Sequence, residues 1–149
     1  MIKIANKGNH SGENPERENT ILYLEEAMAL GYDVKIDVWL IDKVWMLGER
    51  FPDAEQTIPR DFMENPQVWV SAKNLVGYVS LYRNSKVQVF WHNRDDFTFT
   101  SMGIKWANYG VMTRDGVLYL PELDGYIHEK LVAKQINPLG VCSNNLQLY

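Results

Sequence analysis

Residues 21–41 read ILYLEEAMALGYDVKIDVWLI, and a change of period inside this stretch decides the fold. In its first half Ile21, Leu24, Ala27 and Met28 recur at helical spacing, with Asn19 or Thr20 placed to cap the start. Gly31 stands just past the last periodic residue, where a left-handed backbone closes a helix. From Asp33 to Ile41 the period falls to two. Val34, Ile36, Val38 and Leu40 alternate with Lys35, Asp37 and Trp39, as the two faces of a strand require.

Working outward, Ile2 to Ala5 is a short β-favouring run ending in Asn6-Lys7-Gly8, followed by a polar loop to Arg17. Asp42-Lys43 turns the chain into a second short strand, Val44 to Leu47. Pro59 suits the first turn of a short helix ending near Glu64. Strands are expected at Val68–Ala72, at Val87–Trp91 running up to His92, at Ile104–Ala107, at Val117–Leu120 and at Gly140–Ser143. Helices are expected at Leu75–Tyr82 and Gly125–Lys134. Strands alternating with helices argue for an α/β fold with a largely parallel sheet.

The whole chain, residues 1–149, reads as one domain, with no internal repeat or linker. Net charge −4 and the lack of a basic cluster argue against nucleic acid or a membrane surface as partner. The single cysteine, Cys142, excludes an intrachain disulfide. Neither a leader-like apolar segment nor a run of about 20 apolar residues is present, so a cytoplasmic location is expected. No Gly-x-x-x-x-Gly-Lys run is found, and no cofactor is expected. Ser71, Ser101 and Cys142 lack a nucleophile motif such as Gly-x-Ser-x-Gly. His10, His92 and His128 show no metal-ligand spacing, and Asp95-Asp96 reads as a solvated or capping pair. Nothing in the sequence points to an oligomeric state.

Ile4-Ala5-Asn6-Lys7-Gly8, Glu18-Asn19-Thr20, Gly31 and Val34-Lys35-Ile36-Asp37-Val38 together resemble the glycerophosphodiester phosphodiesterase family. That family opens with a strand ending His-Arg-Gly, then Glu-Asn-Thr at a helix start, then a strand carrying Glu-x-Asp. Gly8-Asn9, Gly12, Asn14-Pro15-Glu16, Trp69-Val70-Ser71-Ala72-Lys73-Asn74, Phe90-Trp91-His92, Trp106, Pro121-Glu122 and Gly140-Val141-Cys142-Ser143 are similar, in order, to a short branch of it. The resemblance implies a TIM-type barrel. Such a barrel typically takes about 250 residues, so this one must be reduced, with mostly parallel strands and several connecting helices shortened to loops.

The family's chemistry combines a divalent metal held by acids, a histidine base and acid, and an arginine on the phosphate. Carried over residue by residue, the resemblance puts Asn6 at the first histidine and Lys7 at the arginine. Lys35 falls at the first acidic ligand and Asp37 at the second, which is retained. Glu49 and Arg50 fall at the second histidine and its aspartate, and Ser71 at the third ligand position. Lys73 is a retained lysine. Asparagine cannot shuttle a proton, and a lysine ammonium repels a metal. The resemblance therefore implies a catalytically degenerate protein, a pseudoenzyme.

Lys7, Lys35 and Lys73 fall at the C-terminal ends of strands, the face where barrel sites are built. Two readings follow for them: they hold a small phosphorylated or anionic ligand without metal, or Lys35 merely pairs with Asp37 or Glu49. Asp37, Ser71, His92 and Trp106 complete the expected ligand-binding set. Were the protein active, Glu49 and His92 would supply the acid/base pair. A third reading makes the barrel a scaffold whose exterior aromatic patch meets another protein.

Overall fold

The computed structural model describes all of residues 1–149. Its elements in chain order are β1 (Ile2–Asn6), α1 (Ile21–Ala29), β2 (Asp33–Ile41), β3 (Val44–Leu47), β4 (Val68–Ala72), α2 (Leu75–Tyr82), β5 (Gln88–Phe90), β6 (Phe97–Phe99), β7 (Lys105–Ala107), β8 (Val117–Tyr119), α3 (Gly125–Val132) and β9 (Gly140–Ser143). Short 3₁₀ turns lie at Arg60–Glu64, Pro121–Leu123 and Leu146–Leu148.

Eight strands follow one another around the sheet in the order β5-β4-β2-β1-β9-β8-β7-β6, with β3 hanging antiparallel from β2. Every pairing in that path is parallel except β6 with β7. The two ends, β5 and β6, face each other and are joined through Ser101: its N–H donates to the Val89 carbonyl at 2.7 Å and its Oγ to the Val87 carbonyl at 2.9 Å. The result is a mixed α/β fold with a nearly closed, mostly parallel, barrel-like sheet and three α-helices. No helix is long and apolar enough to cross a membrane.

Parity along each strand separates two cores. Ile4, Trp69, Phe90, Trp106, Val117 and Cys142 fill the barrel interior. Trp106 stacks on Phe90 with ring centroids 4.5 Å apart. The alternate residues Ala5, Val34, Ile36, Val38, Val68, Val70, Val87 and Val89 face outward under α1 and α2. Val141 and Leu118 pack against Ile127 and Leu131 of α3. Burying each such aliphatic or aromatic side chain stabilises by roughly 1.5–3 kcal/mol. Strand β2 differs from its neighbours: its inward positions are Asp33, Lys35 and Asp37, a polar stripe up one wall. Asp33 accepts the Trp69 indole N–H at 2.8 Å near the bottom of that stripe.

Two expectations are corrected. The strand expected from Val87 to Trp91 and up to His92 stops at Phe90, so Trp91 and His92 lie beyond the sheet. The helix expected to reach Lys134 ends at Val132, and Lys134 adopts φ 55°. Strand β6, the short and largely exposed Phe97-Thr98-Phe99, adds to the expected strands: its alternation is too brief to stand out from a loop, and its pairing with β7 defines it.

Candidate functional site

The mouth formed by the C-terminal strand ends is built first from backbone. Lys7, directly after β1, takes φ 58°, and its N–H donates to the Lys35 carbonyl at 2.8 Å. Gly8 follows at φ 92°, where a Cβ would lie 2.8 Å from Tyr23 Cδ1, so the chain passes tightly over α1. Gly48 plays the same part after β3. At φ 147° a Cβ there would overlap the Phe51 carbonyl. Its N–H donates to the Asp37 carbonyl at 3.1 Å and its carbonyl accepts from the Trp39 indole at 2.8 Å. Together these bonds fix Glu49 over the mouth.

Of the two expected cap residues, Asn19 serves the site instead. It sits at φ 54°, and Thr20 becomes the cap residue without a side-chain cap bond. Asn19 Nδ2 donates to Asp37 Oδ2 and Asn19 Oδ1 accepts from the Asp37 N–H, both at 3.2 Å. The other Asp37 oxygen takes the Lys35 ammonium at 2.7 Å, with Lys73 Nζ at 3.9 Å. Asp37 is fully buried and Lys35 is 5% exposed. Burial opposes both charges, but the mutual field wins: Lys35 is held above the ordinary lysine range and Asp37 below the ordinary carboxylate range.

Lys7 is committed elsewhere. Its ammonium meets Glu18 at 2.8 Å and Glu49 at 2.9 Å, and these bonds outweigh burial to raise its pKa. Glu18 also accepts from Asn9, which with Asn6 bonds to Asn144 Oδ1. Asn6, at the expected position of a proton shuttle, is buried in this asparagine network with its Oδ1 unpartnered.

Between the β2, β4, β5, β7 and β8 ends lies a cavity of about 180 Å³, lined by Lys35, Glu49, Ser71, Lys73, Phe90, His92, Asn93, Trp106 and Tyr119. Six of the eight residues expected at a site thus share one small cavity, while Lys7 and Asp37 lie behind it as ion-pair partners of Glu49 and Lys35. Lys35 also sits 5.5 Å from the Tyr119 ring centroid, a cation–π contact that spacing alone does not reveal. Neither ring nitrogen of His92 has a hydrogen-bond partner. Burial, helped by Lys35 and Lys73, lowers its pKa, although Asn108 and Asp95 pull the other way. The site thus favours the neutral imidazole over the charged one.

The other singled-out groups stay outside. His10 Nδ1 faces the Gly8 carbonyl and His128 Nδ1 the Tyr149 hydroxyl, each at 3.1 Å. Asp95 and Asp96 are exposed. Cys142 is buried, and desolvation raises its thiol pKa well above the ordinary value.

A divalent ion does not fit this arrangement. One Asp37 oxygen is occupied by an ammonium and the other by an amide, and no three His, Cys, Asp or Glu side chains cluster as ligands. No protein-family model, curated protein or solved structure matches the chain.

Proposed function

We propose that the barrel mouth binds a small phosphorylated or otherwise anionic ligand directly, without metal. On this reading the chain is a catalytically degenerate relative of the glycerophosphodiester phosphodiesterases on a reduced TIM-type barrel. The observation that carries it is the cavity wall itself: Lys35 and Lys73 both line it, and the one carboxylate in the lining, Glu49, is bonded to Lys7. Lys73 is the ammonium left to meet an anion, since its side chain is 30% exposed and 3.9 Å from Asp37, whereas Lys35 is closely paired. Ser71 and His92 add neutral polar groups beside it. A volume of about 180 Å³ lies below that of drug-sized pockets, roughly 300–1,000 Å³. It takes a phosphate-sized group, with any remainder of the ligand outside.

The alternative of an active phosphodiesterase or lyase using Glu49 and His92 has less support. Both line the cavity, but Glu49 is paired with Lys7 and makes no bond to the His92 ring. The scaffold reading rests on one observation: Leu75, Val76, Val79 and Tyr82 are exposed along α2, beside Tyr78 and Trp91. Light scattering across a concentration series tests that face for self-association.

A thermal-shift screen in EDTA against phosphorylated metabolites tests the leading reading, because a ligand of the native state raises its melting temperature. A shift lost in Lys73→Ala supports it. Stabilisation by magnesium or calcium alone, with metal-dependent hydrolysis, contradicts it.

A further inference from the structure

Strand β5 pairs with β4 on one side only; along its other edge there is no strand ladder. That edge exposes three backbone groups to the seam: the Val87 carbonyl and the N–H and carbonyl of Val89. Both residues are fully buried, so none of the three can turn to water without cost. Ser101 satisfies all three. Its N–H donates to Val89 O at 2.7 Å, its hydroxyl donates to Val87 O at 2.9 Å, and the same oxygen accepts from Val89 N–H at 3.1 Å. A hydroxyl both donates and accepts, which suits it to replace a missing strand residue. Two weaker ties support the seam: Thr98 Oγ1 donates to the Trp91 carbonyl at 2.9 Å and Thr100 Oγ1 approaches Gln88 Oε1 at 3.4 Å.

Directly after this edge the chain runs through Phe90, His92 and Asn93, all of which line the cavity. We infer that Ser101 is a positioning residue of the cavity: its hydroxyl stands in for a strand pairing along β5 and thereby holds Phe90–Asn93 in the cavity wall. Its bearing on ligand affinity rests on the anion-binding reading above; its bearing on His92 does not.

The test uses the intact protein and three readouts. In the wild type, the Val89 amide is expected to exchange as slowly as amides inside the paired strands, and fast exchange there overturns the inference whatever the variants do. In Ser101→Ala, the Val89 amide loses protection and the His92 titration, followed by NMR, moves up toward the ordinary value of about 6.5. It does so because the ring leaves its half-buried place beside Lys35, Lys73, Asp95, Asn108 and Tyr119. Ser101→Thr, which keeps the hydroxyl, restores both; a folded Thr variant with a displaced His92 overturns the inference. An unmoved His92 in folded Ser101→Ala does so too. Titration with inorganic phosphate supplies the third readout. The assignment expects at least a severalfold loss of affinity in Ser101→Ala, and unchanged affinity beside a displaced His92 overturns its ligand half. Displacement of His92 with no phosphate binding even in the wild type leaves Ser101 as the holder of the segment and removes the anion-binding reading alone.

Discussion

Lys35 Nζ lies 2.7 Å from Asp37 Oδ1, two residues along the same strand and on the same inward face, with both side chains removed from water. Alternation in β2 makes this possible, since residues two apart share a face. The pair neutralises itself within one strand. Removing Lys35 leaves the buried Asp37 with only the Asn19 bonds and Lys73 at 3.9 Å, and breaking a buried pair in this way costs roughly 3–5 kcal/mol. Lys35→Met is therefore expected to lower urea stability by about that much. Lys35→Met with Asp37→Leu should recover most of the loss, because replacing both charges with apolar groups is often neutral or stabilising.

The same pair shapes stability against pH. Asp37 has a folded pKa below its unfolded value of about 3.9. Its contribution is thus present above that value and lost as pH falls through the folded pKa. Lys35 has a folded pKa above its unfolded value of about 10.4, so its contribution is full below that value and lost only at more alkaline pH. His92 is depressed when folded, so below about 6.5 the unfolded chain binds a proton that the folded chain refuses. Stability should fall gently below pH 6.5 and more steeply below 4. His92→Gln should remove the first slope and leave the second, as read by denaturation midpoints across pH.

Cys142 should be inert in the native protein. Its thiol is fully buried against the interior core, and its raised pKa leaves almost no thiolate near neutrality. Labelling with a disulfide reagent is expected to follow the unfolding transition in urea; rapid labelling without denaturant contradicts the interior packing described here.

Asn74 ties α2 to β2. Its Nδ2 donates to the Leu40 carbonyl at 2.9 Å, and its Oδ1 accepts from Leu40 N–H at 3.1 Å and from Gly77 N–H at 3.2 Å. Asn74→Ala removes a helix cap and a strand-edge bond pair together, with an expected loss of about 1–3 kcal/mol. Calorimetric melting would measure it.

The regular parts of this fold were legible in the sequence where one residue pattern had one physical use. Asp33–Ile41, Val44–Leu47, Val68–Ala72, Leu75–Tyr82 and Gly140–Ser143 coincide with their elements because each is an alternating or β-favouring run, or an apolar helical stretch, bounded by turn and capping residues. Legibility fails at the seam. Strand β6 is only three residues long, and what joins the barrel ends is a serine hydroxyl, which has no sequence period. At the site, the cavity-lining lysines, Ser71, His92 and Trp106 were all visible as residues. The Lys35–Asp37 pair was among the expected readings. The other pairings were not: Asn19 reaches Asp37 only because its backbone is left-handed, and Glu18 competes for Lys7 from a loop.

The central claim is that Lys73 and Lys35 offer an anion site that needs no metal. Calorimetric titration of inorganic phosphate into the wild type and Lys73→Ala, both in excess EDTA, tests it most directly. Lys73 is partly exposed and not closely paired, so its removal should leave the fold intact. Saturable one-to-one binding is expected in the wild type and at least tenfold weaker binding in the variant, the equivalent of about 1.4 kcal/mol. Phosphate binding that appears only after a divalent metal is restored, or that Lys73→Ala leaves unchanged, would contradict it.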